Sequence, residues 1–208
     1  MSDDLSVIYV VDDDDSVRAS LKSLLEGVGW RVTEFASALE FLRYPRTAVP
    51  GCLILDMSLP DLSGLELQRR LARDRNAVPI IFITGYGDIP TTVQAMKAGA
   101  VEFLTKPFRA EILLVAIKGA IERSRTSLDR RADLRILQER HRRLSRRERE
   151  VMALVVQGQL NKQVGGELGI TEITVKSHRG RVMRKMQARS LADLVNMASR
   201  LSVTSATA

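Results

Sequence analysis

The stretch Gly51-Cys-Leu-Ile-Leu-Asp56-Met-Ser-Leu-Pro60 runs an unbroken apolar segment into an aspartate and stops at a proline. A strand with one wet face alternates apolar and polar residues. One covered by helices on both faces is apolar throughout, as here. Working outward, Val7 to Val11 and Ile80 to Thr84 have the same character, and Arg31 to Phe35 and Val101 to Leu104 complete a set of five with Cys52 to Leu55. Helical patterns fall between them at Ser16 to Gly27, Leu39 to Arg43, Leu65 to Arg73, Thr91 to Ala98 and from Glu111 onward. Ser37 and Glu40 have capping-box spacing. This alternation predicts an α/β fold, a doubly wound parallel five-stranded sheet. Chemistry on such a sheet collects at the carboxyl ends of its strands.

Those ends carry a coherent set of side chains. Asp12 and Asp13 follow the first strand, Asp56 closes the third, Thr84 closes the fourth, and Lys106 precedes Pro107 after the fifth. Three crowded carboxylates repel and need a cation or protons. Mg²⁺ takes hard oxygen ligands with water and phosphate completing its shell. An ionised aspartate beside it can accept a phosphoryl group as an acyl phosphate, while Lys106 neutralises charge and Thr84 donates its hydroxyl. Each signal alone is weak, since Asp-rich loops are commonly helix caps and Lys-Pro is commonly a turn.

The 208 residues suit two domains, and 45% hydrophobic with 27% charged residues is ordinary globular composition. Charge is uneven: residues 1 to 125 hold 15 Lys and Arg against 17 Asp and Glu, while residues 126 to 208 hold 17 against 8. A basic second half points to a polyanion partner. No apolar run reaches membrane-span length, and no signal-peptide pattern opens the chain. The single Cys52 allows no internal disulfide and reads as a buried hydrophobe. A cytoplasmic protein is the expectation.

Val-Val-Asp12-Asp13, Leu-Asp56-Met-Ser-Leu-Pro60, Thr84-Gly85 and Lys106-Pro107 resemble the receiver domain of two-component response regulators over about residues 6 to 122. The resemblance implies a flavodoxin-like (CheY-like) fold and phosphorylation of Asp56 by a sensor histidine kinase. It implies Mg²⁺, replaceable by Mn²⁺ or Ca²⁺, on Asp13, Asp56 and the Ser58 backbone carbonyl, with Asp12 binding directly or through water. Thr84 and Lys106 would sense the phosphoryl group. The switch aromatic falls on Phe103, which lacks a tyrosine hydroxyl. Asp61 and Gly64 match the loop after the phosphorylation site. Aspartyl-phosphate phosphohydrolases, the competing class, put the nucleophile after strand one with a second Asp two residues on; here that position holds Ser58. No enzyme activity is expected beyond the receiver's own phosphoryl transfer and dephosphorylation.

Thr126 to Arg143 reads as a helical linker, with a thin apolar stripe that would let it continue the preceding helix; a flexible charged connection is the alternative. Beyond it, residues 144 to 203 form an all-α pattern of four helices. Ser145 and Glu148 make a capping box, Asn161 to Leu168 is a short helix, Gly169 a turn, and Thr171 to Met186 and Ser190 to Leu201 the last two helices. Helix, short Gly turn, helix is the helix-turn-helix unit. Val175, His178, Val182 and Met186 form its buried stripe, with His178 expected in a core or capping role.

Leu144-Ser-Arg-Arg-Glu148-Arg-Glu150-Val151, Asn161-Lys162, Leu168-Gly169-Ile170-Thr171 and Thr174-Val175-Lys176-Ser177-His178 resemble the DNA-binding domain of the LuxR/FixJ/NarL class. With Gly85-Tyr-Gly-Asp88-Ile-Pro90 and Met96-Lys-Ala-Gly99-Ala100 the chain is most similar to FixJ-type regulators. A recognition helix reads bases near its N-terminus, which makes Lys176 and Ser177 the base-edge candidates. Arg149, Lys162, Arg181, Arg184 and Lys185 suit phosphates, with Thr171 and Thr174 beside them. The expected outcome is a transcription factor that dimerises when phosphorylated, binds double-stranded promoter DNA and activates through RNA polymerase. Gly180, inside the recognition helix, runs against helix propensity.

Overall fold

The computed structural model describes residues 6–73, 78–85 and 88–201. Five parallel strands, β1 (Val7–Val11), β2 (Arg31–Phe35), β3 (Gly51–Asp56), β4 (Ile80–Thr84) and β5 (Glu102–Thr105), lie in the order β2-β1-β3-β4-β5. Successive side chains of a strand point to opposite faces, and both faces are buried. Ile8, Val10, Cys52, Ile54, Ile81 and Ile83 pack beneath α1 (Asp15–Gly27) and the first turns of α5 (Ala110–Arg142). Tyr9, Val11, Leu53, Leu55 and Phe82 face α2 (Ala38–Arg43), α3 (Gly64–Ala72) and α4 (Ile89–Lys97). The continuous apolar reading of β3 is explained by its position: it is central, and all six of its residues are buried.

Boundaries differ from expectation by a residue or two. β3 includes Asp56 itself, and β5 starts at Glu102 and ends at Thr105. α4 begins two residues early because Asp88 caps it and Pro90 fits its first turn. Tyr86 and Gly87, part of the FixJ-like stretch, and residues 202 and 203 of the expected second domain lie outside the described residues.

α5 is a single helix of 33 residues that takes in nearly all of Thr126 to Arg143. Leu113, Ile117, Ala120 and Ile121 of this helix belong to the first core and Leu137 to the second. Ser124, buried on α5, accepts a 3.2 Å hydrogen bond from the Gly51 backbone N–H at the start of β3.

The chain divides into two units, the first ending at Asp129. In the second, α6 (Arg146–Val156), α7 (Asn161–Leu168), α8 (Glu172–Met186) and α9 (Leu191–Arg200) enclose Val151, Met152, Val155, Val164, Val175, Val182, Met186 and Leu194. The Ser145–Glu148 capping box forms in both directions. α7 ends at Gly169, whose φ of 65° favours glycine, and Thr171 caps α8. His178 is half-buried, with a buried Nδ1 that has no partner. No helix among the described residues is long and apolar enough to cross a membrane.

Candidate functional site

The strand ends bring the expected acidic residues together. One carboxylate oxygen from each of Asp12, Asp13 and Asp56 lies within 4.8 Å of the others. Asp12 is 1% exposed and Asp56 7%, whereas Asp13 faces solvent. Lys106 reaches this pocket from the loop after β5, but its nearer partner is Asp12: Nζ is 2.7 Å from Asp12 Oδ2 and 3.7 Å from Asp56 Oδ2. The other Asp12 oxygen accepts from the Asp14 backbone N–H at 3.0 Å. Asp12 is therefore already served, and Asp56 Oδ1 is buried with no hydrogen-bond partner.

Burial pushes the Asp56 carboxyl above the usual range. Lys106 opposes that shift, Asp12 adds to it, and the Ser58 and Met57 backbone N–H groups oppose it. A buried carboxylate oxygen lacking a donor, among three carboxylates, fits a hard divalent cation. Asp13 and Asp56 have oxygens to give it, and Ser58, exposed two residues beyond, has its carbonyl.

The surroundings are built for close approach. A Cβ on Gly64 would stand 2.8 Å from the Asp56 carbonyl oxygen and 2.9 Å from Phe82 Cε1, so only glycine lets α3 start there. Asp61 accepts from the backbone N–H groups of Ala38 and Leu39 at 3.3 and 2.9 Å, tying the loop after Asp56 to the start of α2. Thr84 is fully buried, and its carbonyl accepts from the Lys106 backbone N–H at 2.7 Å. Phe103 is half-buried on β5 with its ring centroid 6.2 Å from that of Phe82. Arg18 was not anticipated: from α1 it donates to the Asp12 carbonyl at 2.6 Å and pairs with Asp15, bracing the acidic loop.

In the second unit the proposed DNA residues fall into three sets. Lys162, Lys176, Ser177, Arg181 and Arg184 are exposed on α7 and α8. Lys176 has only an exposed pairing, 3.3 Å from Glu172. Thr171 and Thr174 are engaged with each other at the head of α8: Thr171 Oγ1 accepts from the Thr174 N–H at 3.2 Å, and the two hydroxyls are 2.8 Å apart.

Two further cations, Lys185 and Arg149, are also exposed but pair within the unit. Lys185 Nζ donates to Glu148 Oε2 at 2.7 Å and to the Arg143 carbonyl at 3.2 Å. Arg149 Nε donates to the Leu144 carbonyl at 3.2 Å. Burial alone would raise the Glu148 carboxyl; the Lys185 and Ser145 hydrogen bonds and the Lys185 charge together outweigh it and hold the carboxyl low. Neither this pair nor the 2.5 Å bond from Arg179 to Asn161 Oδ1, which joins α8 to α7, carries a local sequence signal.

Comparison with known proteins accounts for both halves. Residues 8–118 match the response regulator receiver domain, and residues 142–198 match the bacterial regulatory proteins of the luxR family. Nodulation protein W of Bradyrhizobium diazoefficiens is 51% identical over 199 residues, spanning 96% of this chain and 88% of that protein. The solved structure of the response regulator StyR superposes with a TM-score of 0.80 at 45% identity, covering 94% of this chain and 99% of that one. Full-length FixJ from B. japonicum, at 40% identity, gives 0.55 over 94% and 97%. A receiver whose acidic pocket is intact thus shares one chain with a LuxR-type helix-turn-helix, and the protein belongs to the two-component response regulators that regulate transcription.

Proposed function

We propose that this regulator accepts a phosphoryl group on Asp56 from a partner histidine kinase and, once phosphorylated, binds promoter DNA as a dimer. The observation that carries the reading is the state of Asp56: an unpartnered, buried carboxylate oxygen at a strand end where Lys106 and two further carboxylates converge. Its oxygen attacks phosphorus, the P–N bond to the kinase histidine breaks, and that nitrogen keeps the electron pair. Mg²⁺, or Mn²⁺ or Ca²⁺ in its place, supplies charge neutralisation on Asp13, Asp56 and the Ser58 carbonyl. The chain catalyses no reaction beyond forming and hydrolysing this acyl phosphate.

Phosphorylation adds charge next to Lys106 and Thr84. Lys106 has a second position available because it already touches Asp56 while resting on Asp12. Phe103 lies two residues from Thr105, the register partner of Thr84, and so on the same face of β5 as Thr105. The surface of α4 and β5 that pairs two receivers exposes Ile89, Val93 and Met96. Phosphorylation shifts this equilibrium only as far as it stabilises the paired form over the unpaired one. On DNA the dimer acts as an activator by engaging RNA polymerase.

The test is to incubate the full chain with Mg²⁺ and a small acyl phosphate and to weigh it intact, then measure its size and its binding to promoter fragments. One phosphoryl adduct, absent from Asp56→Asn, and a dimer that forms with it are expected. An unmodified wild type, or dimerisation equal in the mutant and the treated wild type, overturns the reading. A fall in transcription from a bound promoter on adding the phosphorylated protein overturns the activator role.

A further inference from the structure

At 100° per residue, α8 buries Val175, Val182 and Met186 on one side. Directly opposite, spaced by four, three and four residues, stand Ile173, Ser177, Gly180 and Arg184, all exposed. Two members of this row are unexpected on an outward helical face. Ile173 is 79% exposed, a large apolar side chain left uncovered by the described residues of its unit. Gly180 sits in ordinary helix, and a Cβ there would meet nothing within 4 Å. Glycine weakens a helix relative to alanine, so neither backbone geometry nor packing within this chain asks for it.

A single occupant satisfies both. The row ends on Arg184 and is flanked by Lys176 and Arg181, cations that favour a polyanion. The carboxylate beside Ile173, on Glu172, is paired with Lys176. In the major groove of DNA, the apolar feature on a base edge is the thymine 5-methyl group. The first turn of a recognition helix is the part that reaches the base edges. We infer that Ile173 is a specificity-determining residue that packs on a thymine methyl in the half-site, and that Gly180 lets the middle of α8 lie close to the DNA. This rests on the DNA-binding reading above and assigns Ile173 the apolar half of the readout, beside the polar contacts of Lys176 and Ser177.

The probe is a random-sequence duplex library, from which the full chain, treated with Mg²⁺ and acyl phosphate, selects its preferred sequence. Each thymine of that sequence is then replaced in turn by deoxyuridine, which removes only the methyl. At one thymine per half-site the replacement weakens wild-type binding about fourfold, as expected for one methyl group withdrawn from an apolar contact. Ile173→Ala, which removes an exposed side chain and favours the helix, binds the thymine and uracil forms equally. Gly180→Leu binds every duplex at least about tenfold more weakly while keeping its helical content, because a bulky side chain holds the helix off the groove.

Indifference of the wild type to every thymine methyl overturns the role of Ile173, as does an Ile173→Ala variant that still discriminates at the same position. Wild-type affinity in Gly180→Leu overturns the role of Gly180. If no sequence is enriched at all, the DNA-binding reading falls and this inference with it; enrichment without methyl sensitivity leaves that reading standing and removes only the inference.

Discussion

Asp56 illustrates how one side chain can be poised by discomfort. Its carboxyl is held above the usual range by burial, which means that the folded state binds a proton more tightly than the unfolded chain. The stabilisation is present below the ordinary carboxylate pKa of about 4 and is lost as pH rises through the folded value. Asp56→Asn removes the charge and the dependence. In divalent-free buffer the mutant receiver should melt at a higher temperature than wild type at neutral pH, and the two should converge on acidification, as thermal scans across that window will check. Glu148 has the opposite sign. Its lowered carboxyl contributes stability above about pH 4.3, lost as pH falls through the folded value. Breaking a buried pair costs about 3–5 kcal/mol, but Lys185 is 38% exposed, so screening brings the expected loss for Glu148→Gln to about 1–3 kcal/mol. Urea unfolding of the second unit reads it directly. The sequence placed Asp12, Asp13, Asp56, Thr84 and Lys106 at one crevice, because strand ends in a doubly wound sheet converge. It did not show that Lys106 rests nearer to Asp12, a matter of rotamer and loop path. Nor did it show Arg18 or Glu148 at work, since their partners are 6 and 37 residues away without any pattern.

At the scale of elements, apolar runs were legible wherever a segment serves one layer. Strands buried on both faces announce themselves, as do helices with a cap and a single apolar stripe. α5 is harder to read because it serves two cores in turn, receiver residues near its start and Leu137 toward its end. Between them the stripe thins to half-buried Leu128 and Leu134, which is why helix and flexible linker remained open alternatives. Ser124 shows what such a helix does besides span. Its hydroxyl is the partner of the Gly51 N–H at the root of β3, 73 residues away in sequence. Ser124→Ala strands a buried donor at the base of the strand that ends on Asp56. A loss of about 1–3 kcal/mol in receiver stability is expected, with the denaturant slope unchanged, as chemical unfolding followed by tryptophan fluorescence of Trp30 will measure.

For the molecule as a whole, the division into units follows the division of charge. The first unit is close to neutral and built around a sheet; the second holds 17 of the 32 Lys and Arg after residue 125 in a small helical core. Separate cores allow each to be monitored by its own probe, and the receiver carries one already. Cys52 is fully buried in β3, flanked in register by Ile8, and burial pushes its thiol up, away from the reactive thiolate. It is also the only thiol in the chain. A thiol-specific reagent can therefore modify this protein only during excursions that part the central strands, so labelling keeps time for the opening of the receiver and ignores the helical unit. Anything that binds the closed acidic pocket should slow that clock: Mg²⁺ alone at a hundred times its dissociation constant retards labelling by about a hundredfold, a native-state readout of receiver occupancy that needs no engineered label.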